Sequence, residues 1–358
     1  MSETIPHTDV KISFQKRNVE RFRVAMIGSG KIAAHTHVPT IRACPDAELT
    51  AIVDPVRRHA EDLAERFAIK PIIAESVDEL LGSIDAAVIA TPNHTHRDLA
   101  VKCINAGVAV LVEKPLSLGL EDGQEIVDAS HAKGVQVAVG YQTRFLPQSE
   151  IIRELVQDQT FGRVTRFAYQ FGSLGGWAPL SGYNLQRSSA GGGVMTGNGS
   201  HFMDRMISWF GYPDDFELHD DSEGGPESNA FATFNFSSKQ ITGTARFSRT
   251  VAMSPGIVIE TDQGHLASKD GRDTPVVFYP KDRPGMEFEI KRPSLDLVDG
   301  KVESDLLIDD FFHSIRTGTS PRVDAFAGLQ SARLLEALYA NRKTMPEAWY
   351  PQNQTFST

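Results

Sequence analysis

The sequence predicts an α/β chain in two parts, a doubly wound parallel sheet followed by an α+β domain with a large open, mainly antiparallel sheet. Three observations predict it. Between Arg23 and Val139 short β-branched runs alternate with longer amphipathic stretches, as parallel βαβ units require. A glycine-rich turn, Gly28-Ser29-Gly30-Lys31-Ile32-Ala33, follows the first of those runs. Beyond about residue 148 the texture changes to successive strand-like segments with few helices between them. At 358 residues the chain exceeds the size of one core, so each part can bury its own interior. We expect an N-terminal extension over 1–21, a first domain over 22–147 and a second over 148–358 whose last helices pack near the junction.

The expected buried strands of the first domain are Arg23–Ile27, Leu49–Val53, a short one near Ile72, Ala86–Ala90, Ala109–Val112 and Gln136–Val139. Between them, Lys31–Cys44, Arg57–Phe67, Val77–Leu81, Thr95–Ala106 and Leu120–Lys133 carry apolar residues at helical spacing. Gly107 and Gly134 stand where helices should stop, and Ser117 is the expected N-cap of the last helix. In the second domain Val164–Phe171, Ala230–Phe236, Gln240–Phe247 and Gly256–Thr261 read as strands. Asp214–Glu227 reads as an acidic surface loop, and Asp305–Arg316 and Ala325–Asn341 as helices.

Composition narrows the function. A hydrophobic fraction of 41% with 23% charged residues is that of an ordinary globular protein. The formal net charge is -10 and no Lys/Arg cluster appears, which argues against a nucleic-acid partner. Cys44 and Cys103 are too few for a disulfide framework and wrongly spaced for zinc, so they suit a reducing compartment. No segment is apolar for long enough to span a bilayer, and the first twenty residues lack a signal-peptide core. The expectation is a cytoplasmic protein with no membrane partner.

The glycine-rich turn has a physical purpose in its setting between strand and helix. Gly28 permits the tight turn, Gly30 admits a pyrophosphate close to the backbone, and Ala33 lets helix and strand pack closely. Lys31 and Ile32 open the helix, whose first N–H groups face the anion. Asp54 ends the next strand, where a carboxylate accepts hydrogen bonds from an adenosine ribose and repels a 2′-phosphate, so NAD is expected ahead of NADP. Arg58, beside Arg57, is a candidate cofactor contact, although arginines at a helix start are more simply read as surface residues.

Two further motifs sit at carboxyl ends of parallel strands, where an open α/β sheet binds ligands: Thr91-Pro92-Asn93-His94-Thr95-His96 and Glu113-Lys114-Pro115. With the glycine-rich turn, Gly140-Tyr141-Gln142-Thr143-Arg144-Phe145, Gly191-Gly192-Gly193 and the later His201 and Asp204, they resemble the Gfo/Idh/MocA family of sugar- and cyclitol-modifying oxidoreductases. The resemblance implies a Rossmann domain whose cofactor contacts include Thr91, Pro92, Asn93, His96, Glu113, Lys114 and Pro115. It also implies that Lys114 touches the nicotinamide ribose and the reacting hydroxyl, where a cation stabilises a developing alkoxide.

In the family an Asp and a His four residues apart follow a glycine-rich turn and line the substrate. Here His201 matches the histidine, and Gly197 stands where the aspartate is expected. Glycine can neither hold a proton nor orient an imidazole. The catalytic candidates are therefore Lys114 and His201, with His201 as base or relay because its reference pKa lies near neutrality. Asn198 offers a neutral hydrogen-bonding group, and Asp204 shares a helix face with His201 as support. Arg144, Trp177, Tyr183, Asn184 and Arg187 are candidate substrate contacts. Histidines two apart (His35 and His37, His94 and His96) diverge on a helix, so no metal is expected.

The expected activity is hydride transfer between a ring secondary alcohol of a sugar, cyclitol or nucleotide sugar and NAD. One alternative oxidises a sugar carbon transiently to cleave a glycosidic bond. Another is a non-catalytic protein that binds NAD and a sugar. The resemblance and the open sheet imply a homodimer or homotetramer.

Overall fold

In the computed structural model residues 13–175, 182–272, 274–292 and 301–346 are described. The chain divides into two compact units, one of residues 1–142 with 301–332 and the other of 143–300 with 333–358. Residues 301–332, which the sequence reading puts with the second domain, therefore group with the first unit.

The first unit is built on six parallel strands: β1 (Phe22–Ile27), β2 (Ala47–Val53), β3 (Ile72–Ala74), β4 (Ala86–Ile89), β5 (Ala109–Val112) and β6 (Val137–Val139), in the order β3-β2-β1-β4-β5-β6. Every residue of β4, β5 and β6 is buried, which is why these strands read as unbroken apolar runs. The helices are α1 (Val38–Ala43), α2 (Arg57–Arg66), α3 (His96–Asn105) and α4 (Leu120–Lys133), with a π-helical turn Ala33–His37 ahead of α1. The expected helix near Val77 is a single 3-10 turn capped by Ser76, and the N-cap of α4 is Gly119 rather than Ser117. Ser117 instead donates its hydroxyl to the Gly119 carbonyl at 2.7 Å.

Residues 13–21 strap this unit. Gln15 donates its amide N–H to Gly134 O at 2.7 Å, and Arg17 donates to Ile315 O at 3.1 Å and to Gly107 O. The helix-stop glycines, both at positive φ, thus expose carbonyl-lined ends that the strap satisfies. Cys44 and Cys103 are buried and unlinked. Burial pushes their thiols up to about 11 and about 12, which leaves them inert.

The second unit carries a nine-stranded sheet in the order β14-β13-β12-β11-β7-β10-β9-β8-β15, antiparallel except for the β7/β10 and β8/β15 pairs. Its strands are β7 (Val164–Gly172), β8 (Asp215–Asp220), β9 (Asn229–Phe236), β10 (Ile241–Ser248), β11 (Met253–Thr261), β12 (Gly264–Lys269), β13 (Val276–Pro280), β14 (Phe288–Ile290) and β15 (Lys343–Thr344). The expected acidic loop over Asp214–Glu227 is wrong in its first half, because β8 pairs along its length with β9. Helices α5 (Pro147–Gln157), α6 (Arg187–Ala190) and α7 (Ser200–Phe210) follow in chain order. α8 (Glu303–Thr317) belongs to the first unit, and α9 (Ala325–Ala340) has residues in both.

α7 lays Phe202, Met203, Met206 and Phe210 into the aromatic core of this sheet. Tyr169 stacks on Phe202 at 4.0 Å and Phe167 on Phe210 at 4.7 Å between ring centroids. Gly243 makes room for Phe167, since a Cβ there would lie 1.9 Å from its ring. Burial of each such side chain stabilises by roughly 1.5–3 kcal/mol, which holds α7 firmly enough to position the residue before Phe202, His201.

Candidate active site

In the first unit the glycine-rich turn closes as the sequence requires. Gly28 has φ +97°, and a Cβ there would lie 2.5 Å from Ala90 O, so only glycine fits. A Cβ on Gly30 would meet nothing within 4 Å. The turn therefore opens onto space beside its N–H groups, and the buried Ser29 hydroxyl finds no hydrogen-bond partner among the described residues. Asp54 accepts from Ser29 N at 3.0 Å through Oδ2 and from Val56 N at 2.9 Å through Oδ1, which also has His59 Nδ1 at 3.5 Å, so Oδ2 keeps a lone pair for a ribose hydroxyl. These features fit a dinucleotide. Arg58 turns away from them to its own helix, with Asp62 at 2.5 Å and Glu65 at 3.6 Å.

The other two motifs are held by buried histidines. The π-turn delivers His37, 2% exposed, to Glu113, its Nε2 lying 2.8 Å from Oε1. Burial works to raise the Glu113 carboxyl, but the His37 hydrogen bond and the charges of His37 and Lys114 outweigh it and hold it below the ordinary range. Glu113 Oε2 accepts from Lys114 N at 3.1 Å, and the Lys114–Pro115 peptide is cis. His96 is fully buried between the motifs, with Nδ1 2.8 Å from Pro115 O and Nε2 3.1 Å from Thr91 O. Burial lowers its pKa against the pull of those carbonyls. The structure thus corrects one expectation: His96 braces the loops, with both nitrogens engaged inside the protein. The Thr91 hydroxyl lies 2.6 Å from that of Thr95, and Pro92, Asn93 and Lys114 are partly exposed along the same strand ends.

In the second unit Gly191–Gly193 lead into a second π-helical turn, Met195–Gly199, and then α7. π-Turns inside helices recur at functional sites. Gly197, Asn198 and His201 are its partly exposed positions, while Met195, Thr196, Gly199 and Ser200 are buried. The buried Glu227 caps the turn, accepting from Gly193 N and Met195 N at 2.8 Å each and from the Tyr339 hydroxyl at 2.7 Å. Burial raises its pKa against these donors. Asp204, fully buried, pairs in bidentate fashion with Arg144 at 2.6 and 2.8 Å. Arg144 thereby braces α7 through two of its guanidinium nitrogens, Nε and Nη2. Tyr183 and Asn184 lie on a 3-10 turn ahead of α6, which Arg187 begins, and Trp177 falls outside the described residues.

Sequence reasoning missed the roles of His37, Glu227 and Tyr339. His37 had a signal, since it shares the apolar stripe of Ala33, Ala34, Val38 and Ile41. Among the described residues no cluster of metal-ligating side chains occurs and no helix is long and apolar enough to cross a membrane.

The profile of the oxidoreductase family with an NAD-binding Rossmann fold matches residues 22–141, and that of the family's C-terminal α/β domain matches residues 153–346. The chain belongs to this family. Its curated relatives include the glucose-6-phosphate 3-dehydrogenase of Bacillus subtilis, 27% identical over 149 residues, 42% of each chain. The 1,5-anhydro-D-fructose reductase of Ensifer adhaerens is 31% identical over 175 residues, 48% of this chain and 52% of that one. The matches span about half the length of these curated relatives. Among solved structures, the aldose-aldose oxidoreductase of Caulobacter crescentus in complex with glycerol superposes with a TM-score of 0.79 at 20% identity, over 90% of this chain and 97% of that one. A levoglucosan dehydrogenase bound to NADH and L-sorbose gives 0.80 at 20% identity over the same shares. At that identity the likeness concerns the fold. A 3-ketoreductase of Actinomadura kijaniata solved with NADP shares the fold as well, with a TM-score of 0.76 at 19% identity over 91% of this chain and 99% of that one.

Proposed function

We propose that this family member is an NAD-dependent dehydrogenase that moves a hydride between a ring secondary alcohol of a sugar, cyclitol or nucleotide sugar and the nicotinamide. The observation that carries it is the corner Glu113-Lys114-Pro115, which two buried histidines lock at the strand ends while leaving Lys114 partly exposed. Relatives named as dehydrogenases of glucose 6-phosphate and scyllo-inositol support the substrate class. The bound nicotinamide supplies the hydride acceptor. Gly28, Gly30, Lys31 and Ile32 would hold its pyrophosphate, and Asp54 the adenosine ribose, which favours NAD over NADP.

Proton handling falls to Lys114, whose ammonium stabilises the developing alkoxide, and to His201, whose imidazole takes the proton. A homodimer or homotetramer in the cytoplasm completes the proposal. The NAD-loaded protein is assayed against sugars and cyclitols by NADH absorbance, with fluorescence titration of NADH alongside. Lys114→Ala and His201→Ala are expected to lower kcat by about 100-fold or more, and His201→Ala to retain NADH binding. Full turnover in either variant sinks its assigned role. Product formed without net NADH identifies transient oxidation instead.

A further inference from the structure

We propose that Arg249 recognises an anionic group on the substrate, so that the sugar or cyclitol carries a carboxylate or phosphate held by this guanidinium above Gly197. The inference deepens the dehydrogenase reading and rests on it.

Its starting point is the space at Gly197. A Cβ on that residue would lie 2.6 Å from Arg249 Nη2, so the missing side chain is what admits the guanidinium. Gly197 stands one helical turn ahead of His201, and positions four apart share a helix face. Arg249, which follows β10, thus brings a cation to the partly exposed face that carries His201.

That cation is not matched by the nearby carboxylate. Glu227 directs both oxygens to Gly193 N, Met195 N and the Tyr339 hydroxyl, and forms no ion pair with Arg249 within 4.0 Å. The guanidinium makes one hydrogen bond among the described residues, a long one of 3.4 Å to Gly193 O, which is too weak to account for its placement. Burial lowers the Arg249 pKa, with the Glu227 and Tyr339 charges opposing, so the group is partly desolvated without a close counter-ion among the described residues. Arg187, its guanidinium 4.9 Å from the Tyr339 ring centroid, adds a second cation to the surroundings of the same turn. Two arginines around a glycine-lined turn, one of them beside the proposed base, suit a carboxylate or phosphate, whose paired oxygens match the guanidinium fork.

The test uses the full chain loaded with NAD and pairs each neutral sugar or cyclitol with its anionic counterparts: glucose with glucuronate for the carboxylate arm, and glucose with glucose 6-phosphate for the phosphate arm. One anionic series is expected to exceed its neutral partners in kcat/KM by about tenfold or more, and the arm that does so identifies the group. Arg249→Gln should collapse that ratio through KM. Gly197→Asp, which sets a carboxylate against the guanidinium while Arg249 stays in place, should collapse it too, and guards against a misfolded Arg249 variant. Calorimetric titration of the NADH-bound protein with the preferred anion should lose affinity by the same factor in both variants. A preference for neutral members, or an anionic preference that survives Arg249→Gln, overturns the inference and leaves the dehydrogenase reading standing. No turnover and no binding of any member, neutral or anionic, overturns both.

Discussion

The two glycine-rich turns of this molecule are built alike and used differently. Each precedes a π-helical turn, and each has a glycine whose Cβ would strike backbone: Gly28 against Ala90 O at 2.5 Å, and Gly193 against Glu227 O at 2.0 Å. Above Gly30 there is open space, and the Ser29 hydroxyl is left without a partner among the described residues. At the second turn the space is filled. A Cβ at Gly192 would lie 2.1 Å from the Tyr339 hydroxyl, and Glu227 caps the backbone N–H groups. What decides whether such a turn is a ligand cradle or a buttress is therefore how many of its donors a distant carboxylate takes: Asp54 takes Ser29 N of the first turn, whereas Glu227 takes both Gly193 N and Met195 N of the second.

The sharpest way to break this contrast is to add one methyl group to each turn. Gly28→Ala forces an L-residue into positive φ and against a carbonyl, and should weaken NADH binding by about 100-fold or more. Gly193→Ala should leave NADH affinity close to the parent and instead lower stability by about 1–3 kcal/mol, by overpacking against Glu227. Fluorescence titration and urea unfolding on both variants read the two effects separately. Equal losses of NADH affinity would mean that both turns serve the cofactor.

This division explains what the sequence made legible. β4 and β5 stand out because a parallel strand covered on both faces is apolar throughout, and the dinucleotide turn stands out because its parts are contiguous. β8 hides because Asp-Phe-Glu-Leu-His-Asp offers only two alternating apolar residues, Phe216 and Leu218, and fills the next inward position with the buried Asp220, so it reads as an acidic loop. Lys114 and His201 are proposed from motif and resemblance, whereas Arg249 lies next to Gly197 only after β9 and β10 have paired. A contact made by tertiary structure leaves no local period to read.

Two glutamates with opposed shifts, the partly exposed Glu113 and the buried Glu227, sharpen the comparison through pH. Glu113, held below the ordinary range, contributes stability in full above the unfolded pKa of about 4.3, and that contribution is lost as pH falls through its depressed value. Glu227, pushed up by burial, has the opposite sign: its contribution is full below about 4.3 and is lost as pH rises through its raised value. Glu113→Gln should flatten the acid limb of the stability profile, and Glu227→Gln the decline that sets in above about pH 4. At neutral pH, Glu113→Ala should also cost about 2 kcal/mol by stripping buried His37 of its acceptor. Variants whose urea midpoints run parallel to the parent across that range would refute the opposed shifts.

The smallest expected effect lies at the rim of the first turn. Arg58 is 63% exposed and surrounded by Asp62, Glu61 and Glu65 of its own helix, so screening leaves it little influence beyond that cluster. Arg58→Ala should change the ratio of NADH to NADPH affinity by less than about twofold. Asp54 is anchored through one oxygen to Ser29 N beside Gly30 and through the other to Val56 N, and Asp54→Ala should cut that ratio by about tenfold, chiefly by weakening NADH. The pair of measurements separates two causes of cofactor choice. A large Arg58 effect would require its guanidinium to leave its acidic neighbours for a 2′-phosphate, and selectivity would then rest on a side-chain swing instead of on a carboxylate already fixed against the turn.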